Sequence, residues 1–155
     1  MKFYFFLISL LLLVACGTDT GNPGQEPSNL SAGDILELPY DQVIPTLVES
    51  ICNKVETCHP GASQCESDLL LYDNIDEEIG LTKDSTESLQ SVHEKLSQNE
   101  LEADRYQLSL CLPKIEELSC ESPEVQGAYS KTFDKPFSGV AAMLPKECNG
   151  IIIEE

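Results

Sequence analysis

Hydrophobic and polar positions divide the chain into three parts. An apolar run from Phe3 to Ala15 comes first, and residues 17–33 follow as a stretch of Gly, Pro, Ser, Asn and acidic residues whose one large apolar side chain is Leu30. From residue 34 onward, apolar residues recur every three or four positions, which is the spacing of amphipathic helices. The pattern predicts a helical domain over residues 34–155 behind a flexible tether.

The first two helices are predicted on either side of a turn at Pro60-Gly61. Helix one extends from Asp41 to Cys58 and has a single apolar stripe. That stripe consists of Ile44, Leu47, Val48, Ile51, Cys52, Val55 and Cys58. Helix two is predicted from Ser63 to Ile79, with Ser63 and Glu66 as a capping box and Gly80 at its C-terminal end.

Two more helices are predicted in the middle of the domain. Helix three begins near Ser85 and places Leu89, Val92 and Leu96 on one face. Helix four is predicted to open with Asn99 and Glu102 as an N-terminal capping pair and to continue to Leu118, with a kink or a restart at Pro113.

The pattern weakens after Cys120. Residues 121–139 are predicted as a long loop or a hairpin because Pro and Gly recur through them. A short helix is predicted over Val140–Leu144, and Ile151–Ile153 would form a terminal strand or a packed tail. The predicted fold class is therefore all-α, a small bundle of about four helices with an irregular C-terminal segment.

The N-terminal segment has the parts of a secretory signal. Lys2 precedes 13 apolar or small residues, fewer than the roughly 20 that a membrane-spanning helix needs. The run ends in Leu13-Val14-Ala15-Cys16, which resembles the lipobox of bacterial lipoproteins. The resemblance implies a cleaved signal peptide over residues 1–15, lipid on the Cys16 sulfur and acylation of the new amino terminus.

The residues after Cys16 indicate the destination and the reach of the anchored chain. In the sorting rule of the enterobacterial lipoproteins that this segment resembles, an Asp directly after the lipidated cysteine favours retention in the inner membrane. Gly17 occupies that position, so the resemblance implies the outer membrane, on its periplasmic face or at the cell surface. Residues 16–33 would then comprise the lipidated cysteine and a tether whose root-mean-square span is on the order of 20–25 Å.

Charge limits the partners of this chain. It has 9 basic and 27 acidic residues and a formal net charge of −18, and removal of residues 1–15 takes Lys2 and makes the charge −19. A charge of that size repels nucleic acid phosphates and anionic lipids. We therefore expect no nucleic acid partner and a membrane association that depends on the lipid at Cys16.

Six cysteines remain once Cys16 is assigned to lipid, an even number in an exported domain, which predicts three disulfides. Six cysteines allow 15 pairings. Cysteines six or more residues apart on one helix lie beyond disulfide reach, which removes Cys52 with Cys58 and Cys111 with Cys120 and leaves ten pairings. The turn at residues 59–62 favours Cys58–Cys65. Cys52–Cys111 and Cys120–Cys148 are the expected remaining pairs, although their partners could exchange.

Candidate catalytic and metal-binding residues are few. Cys52, Cys58, His59 and Cys65 could hold zinc, but they lack a Cys-x2-Cys knuckle and disulfides are favoured. His93-Glu94 lacks the second histidine of a metalloprotease helix, and residues 73–78 lack the ligand order of a calcium loop. No catalytic residue, metal site or cofactor is predicted, and a non-enzymatic protein is expected.

A second resemblance covers most of the chain after residue 15. Its markers are the tether CGTDTGNPG, the pattern Ile51-Cys52-x5-Cys58-His59-Pro60-x4-Cys65, the pattern Cys111-x3-Ile115-x2-Leu118-x-Cys120, and Pro145-x2-Cys148. They resemble small cysteine-containing lipoproteins of myxobacteria and Bdellovibrio-like predators. That family implies helical, disulfide-stapled, lipid-anchored domains without an assigned activity, so it transfers no functional residue.

The leading interpretation is an envelope module that binds another envelope or extracellular macromolecule, with a protein as a possible partner. One alternative is an enzyme or a metal-dependent site built from the acidic residues. Another is a structural component of the envelope that has no specific partner.

Overall fold

A computed structural model describes residues 30–71, 75–81, 87–132 and 134–153. Within these ranges the protein is helical apart from one short strand pair and the connecting loops, so the all-α prediction is confirmed. The elements are α1 (Ala32–Leu36), α2 (Tyr40–Cys58), α3 (Cys65–Leu69), α4 (Asp76–Ile79), α5 (Leu89–Ser97), β1 (Glu102–Ala103), α6 (Arg105–Glu117), α7 (Pro123–Gly127), α8 (Val140–Met143), a 3₁₀ turn (Lys146–Cys148) and β2 (Ile152–Ile153).

The central element is α2, which contacts α3, α5, α6 and α7. Nine of its nineteen residues are buried. They include Thr46 and Ser50, which lie outside the predicted apolar stripe. Because these elements pack on several sides of α2, more of its surface is buried than the single predicted apolar stripe.

The helices α2 and α6 run parallel to each other. At their N-terminal ends, Arg105 Nη1 donates a hydrogen bond to the carbonyl of Leu38, 2.8 Å away. At their C-terminal ends, Lys54 Nζ donates to the carbonyls of Glu116 and Leu118 at 2.6 and 3.0 Å. Both helices therefore end on the same side of the domain.

The predicted second helix is wrong as a single element, because the structure divides it into α3 and α4. The expected capping box of Ser63 and Glu66 does not form. Instead, Gln64 occupies the N-cap position with a φ of 74° and no side-chain capping bond. The prediction for Gly80 is confirmed, because this residue follows α4 with a φ of 106°.

The start of the fourth helix also differs from the prediction. Glu102 lies in β1, where it pairs with Ile153 in an antiparallel register, so Asn99 and Glu102 do not cap the helix. The N-cap of α6 is Asp104, whose side chain accepts a hydrogen bond from the Gln107 backbone N–H at 3.0 Å. The pairing also decides between the two alternatives for the C-terminal residues in favour of a strand.

Pro113 lies inside α6 without ending it. In the C-terminal segment, part of the stretch expected as loop or hairpin is helical, since α7 occupies five residues of it and Ser122 caps that helix by accepting from the Val125 N–H. The short helix predicted at Val140 is present as α8.

The first helix begins within the stretch predicted as tether. Ser31 and Asp34 form a capping box, and α1 starts at Ala32, two residues before the predicted start of the domain. Ile35 of this helix is buried, and Leu30 packs against the core. Within the part of the chain that the structure describes, no helix is long and apolar enough to cross a membrane.

Candidate functional site

The six cysteines after Cys16 form three disulfides. The pairs are Cys52–Cys65, Cys58–Cys120 and Cys111–Cys148, with Cα separations of 5.5, 5.1 and 4.6 Å. Three disulfides were predicted, but none of the three expected pairs, Cys58–Cys65, Cys52–Cys111 and Cys120–Cys148, is formed. The observed set is one of the ten pairings left open by helix geometry.

The expected Cys58–Cys65 bridge does not form, because residues 59–64 make a longer connection than a tight turn at Pro60-Gly61. The chain returns along α2 before α3 begins at Cys65, so Cys65 lies beside Cys52. Six residues of helical rise place Cys52 about 9 Å back from Cys58. The bridge therefore joins α3 to the middle of α2 and leaves Cys58 for another partner.

The other two pairs follow from the packing of α6. Because α2 and α6 are parallel, Cys120, three residues past the end of α6, meets Cys58 at the end of α2. One turn before Cys111, Gln107 Nε2 donates to the Glu147 carbonyl at 2.7 Å, so the 3₁₀ turn lies along this side of α6. That contact brings Cys148 to Cys111.

The residues considered for zinc are engaged in other interactions. The sulfurs of Cys52, Cys58 and Cys65 are all in disulfides. His59 Nε2 lies 2.8 Å from the Val125 carbonyl, and its ring lies 5.7 Å from that of Tyr129. Across the described ranges, no group of three or more His, Cys, Asp or Glu residues is placed to hold a metal ion.

His93-Glu94 and the acidic run at residues 73–78 were the other candidates considered. His93 lies on α5, where its Nδ1 atom is buried without a hydrogen-bond partner. Glu94 accepts a hydrogen bond from Gln90 on the same helix. Residues 73 and 74 of the acidic run lie outside the described residues, and Glu77 and Glu78 line a 270 Å³ cleft together with Lys146 and Asn149.

A cleft lies between α2 and α6. It has a volume of about 210 Å³ and is lined by Ser50, Asn53, Lys54, Thr57 and Glu116. The first four residues recur at helical spacing and so share one side of α2. Ser50 Oγ is buried without a hydrogen-bond partner, while Lys54 is held by the carbonyl groups at the end of α6. The cleft offers hydroxyl, amide and charged groups but no catalytic pair.

Exposed apolar side chains form the other candidate surface. Within the described ranges, the large exposed apolar residues are Leu36 at 46%, Leu71 at 65%, Tyr106 at 61%, Leu110 at 41% and Ile153 at 42%. Tyr106 and Leu110 are four residues apart on α6 and therefore lie on one face of it. The helical pattern of the sequence did not identify this outer pair as a candidate surface, although the spacing of the two residues is visible in it.

Cys16, the predicted lipidation site, lies outside the described residues, as does the whole predicted signal peptide. Comparison with protein-family models, curated proteins and solved structures finds no match to this chain.

Proposed function

We propose that this chain is an outer-membrane lipoprotein, anchored by lipid on Cys16, whose disulfide-stapled helical domain binds another macromolecule of the bacterial envelope. The observation that carries the proposal is the sequence Leu13-Val14-Ala15-Cys16 at the end of a 13-residue apolar run. The thiol at its end is the group to which diacylglycerol would be attached.

The redox state of the remaining cysteines supports export. All six are paired in disulfides, which persist in oxidising compartments and are rare where thiols are kept reduced. A domain of this size also gains stability from disulfides, because its strong negative charge opposes compact packing.

The tether supports a role at a membrane surface. Thirteen residues separate Cys16 from Leu30, where the described chain begins. The composition of these residues predicts a flexible tether, and a tether of that length would span about 20 Å. A lipid on Cys16 would then hold the domain close to the bilayer while leaving its surface free to meet a partner.

Intact-mass measurement tests the anchor. The full chain is expressed in a Gram-negative bacterium and extracted from membranes with detergent. We expect the mass of a chain that lacks residues 1–15, begins at Cys16 and carries three acyl chains on that cysteine. Thiol labelling should reach six cysteines, and only after reduction. The variant Cys16→Ser is the control and should carry no lipid, whereas an unmodified Cys16 in the native chain would refute the anchor.

Membrane fractionation tests the destination. The native chain should separate with the outer membrane, and Gly17→Asp should move it to the inner membrane without changing its lipid mass. Gly17→Ser is the matched control and should behave as the native chain does. Recovery of Gly17→Asp and native chain in the same membrane would contradict the proposed sorting.

Crosslinking in intact cells tests the binding role. The native chain should yield a discrete crosslinked product that the same cells lacking the chain do not give. Absence of any such product over a range of crosslinker lengths would favour the structural alternative.

A further inference from the structure

Three of the exposed apolar side chains lie on two helices that pack against each other. We call Leu36 of α1 with Tyr106 and Leu110 of α6 the α1–α6 surface. The two helices are in contact, and the hydrogen bond from Arg105 to the Leu38 carbonyl places the end of α1 next to the first turn of α6. Exposed apolar side chains concentrated on adjacent elements indicate an interaction surface more strongly than scattered ones do.

The α1–α6 surface is supported by core packing on the inner side of α6. On the inner side of α6, Leu108 and Ile115 are fully buried, and Cys111 is tied to Cys148. Arg105 also lies over the ring of Tyr40, 4.9 Å from its centroid, which adds a second contact between the start of α2 and α6. Tyr106 and Leu110 therefore project from a fixed helix, and a partner would not have to order them on binding.

Acidic residues outnumber basic ones on the elements around this surface. Arg105 is already engaged with Leu38 and Tyr40, and Lys114 is paired with Glu117 at 2.6 Å. Those are the two basic residues of α1, β1, α6 and the first turn of α2. The same segments hold five acidic residues, Asp34, Asp41, Glu102, Glu116 and Glu117, and the cap positions next to α1 and α6 add Glu37 and Asp104.

The excess of acidic residues indicates which kind of partner can bind the α1–α6 surface. A second copy of the chain would bring the same acidic residues against themselves, and an anionic bilayer would be repelled in the same way. A basic partner gains from the charges instead, and apolar side chains on the same segment can cover Leu36, Tyr106 and Leu110.

We propose that the α1–α6 surface binds a cationic amphipathic segment of a partner protein. The apolar face of the segment packs on Leu36, Tyr106 and Leu110, and its Lys and Arg side chains face the surrounding carboxylates. This inference rests on the proposed function as a binding module and names the partner chemistry that the module recognises.

Peptide binding tests the proposal with the lipidated chain in phosphatidylcholine nanodiscs and empty nanodiscs as the reference. The probes are a synthetic helical peptide of Leu and Lys with one apolar face, a scrambled peptide of the same composition without such a face, and a helical peptide of Leu and Glu. We expect the amphipathic Leu-Lys peptide to bind most tightly, with an affinity that falls as salt increases.

Variants separate the surface from the overall charge. The double variant Tyr106→Ser with Leu110→Ser keeps the net charge, and it should weaken binding of the amphipathic Leu-Lys peptide about tenfold or more. Leu71→Ser is the matched control, because this residue is also exposed but lies just after α3, and it should leave the affinity unchanged. Circular dichroism of each variant confirms that the fold is retained.

Three results would overturn the proposal. They are equal binding of the scrambled and amphipathic peptides, unchanged binding by the double variant, and concentration-dependent self-association that the double variant abolishes. If intact mass shows no lipid on Cys16, the same measurement is made on the chain free in solution. Peptide binding by an unlipidated chain would support the α1–α6 surface and refute only the anchor. Absence of peptide binding by a lipidated chain would refute only the α1–α6 surface.

Discussion

Cys58 and Cys120 join the C-terminal ends of the parallel helices α2 and α6, with their Cα atoms 5.1 Å apart. Both residues are half-buried, whereas the cysteines of the other two disulfides are at most 2% exposed. One disulfide therefore closes the open end of the α2–α6 pair where solvent reaches it, and two lie within the core.

Mild reduction should open the Cys58–Cys120 disulfide before the other two. Because a reductant must reach a sulfur atom, we expect Cys58 and Cys120 to be alkylated first under native conditions, and the four buried cysteines only as the protein unfolds. Peptide mapping of the partly reduced protein checks the order, with full reduction in denaturant as the control. Recovery of Cys58–Cys65 from the unreduced protein would contradict the connectivity itself.

Gly139→Ala should destabilise the contact between α7 and α8. A Cβ at this position would lie 2.0 Å from the Gly127 carbonyl oxygen, a backbone atom that cannot move aside freely. We expect a loss of about 1–3 kcal/mol in the free energy of unfolding, measured with urea. Gly127→Ala is the control: nothing lies within 4 Å of its added Cβ, so this variant should not destabilise the protein, and the greater helix propensity of Ala should slightly stabilise it.

Lys54→Met should weaken the end of the α2–α6 pair. It removes a cation whose ammonium group bonds two carbonyls at the C-terminal end of α6, where the helix dipole favours positive charge. The expected cost is about 1–3 kcal/mol in urea unfolding. Lys114→Met removes an exposed ion pair with Glu117 and should cost less than about 1 kcal/mol, so equal costs for the two variants would count against the capping role of Lys54.

The capping box of α1 should be visible in an acid titration. The Ser31 hydroxyl and then its backbone N–H donate to the Asp34 carboxylate, and these bonds lower the pKa of Asp34 below its ordinary value. A lowered pKa means that the carboxylate stabilises α1 above the pKa of the unfolded chain. That contribution is lost as the pH falls through the lower pKa of the folded state.

NMR titration of the Asp34 side chain measures this effect. In Ser31→Ala the pKa of Asp34 should rise toward its ordinary value, because the hydroxyl donor is gone. Ser31→Thr keeps a hydroxyl and should keep the lowered pKa of Asp34. An unchanged pKa of Asp34 in Ser31→Ala would show that the capping box does not form in solution.

Local signals in the sequence predicted several elements well. The apolar spacing from Ile44 to Cys58 predicted α2 within one residue at its start, and the spacing of Leu89, Val92 and Leu96 predicted the inner face of α5. Gly80 marked the end of α4, because its φ of 106° is a conformation that favours glycine. Each of these features depends on contacts within one helix or on the conformation of one residue.

Predictions that depended on partners from distant parts of the chain failed or stayed open. The sequence pattern around Glu102 predicts a helix cap, but Glu102 pairs with Ile153 in a strand. The helix α6 therefore begins later, at Arg105. The candidate surface shows the same limit. The spacing of Tyr106 and Leu110 is visible in the sequence, but only the packing of α1 against α6 places Leu36 on the neighbouring helix.

The sequence by itself determined the helical class and the count of three disulfides, because these follow from spacing and parity, and its contiguous motif at Cys16 is the ground for the proposed lipid anchor. The tertiary structure alone decided which cysteines pair. A disulfide needs Cα atoms within about 7 Å, and that distance depends on which helix ends meet. Since α2 and α6 lie parallel, Cys58 meets Cys120, and the turn that precedes Cys65 carries that residue back to Cys52.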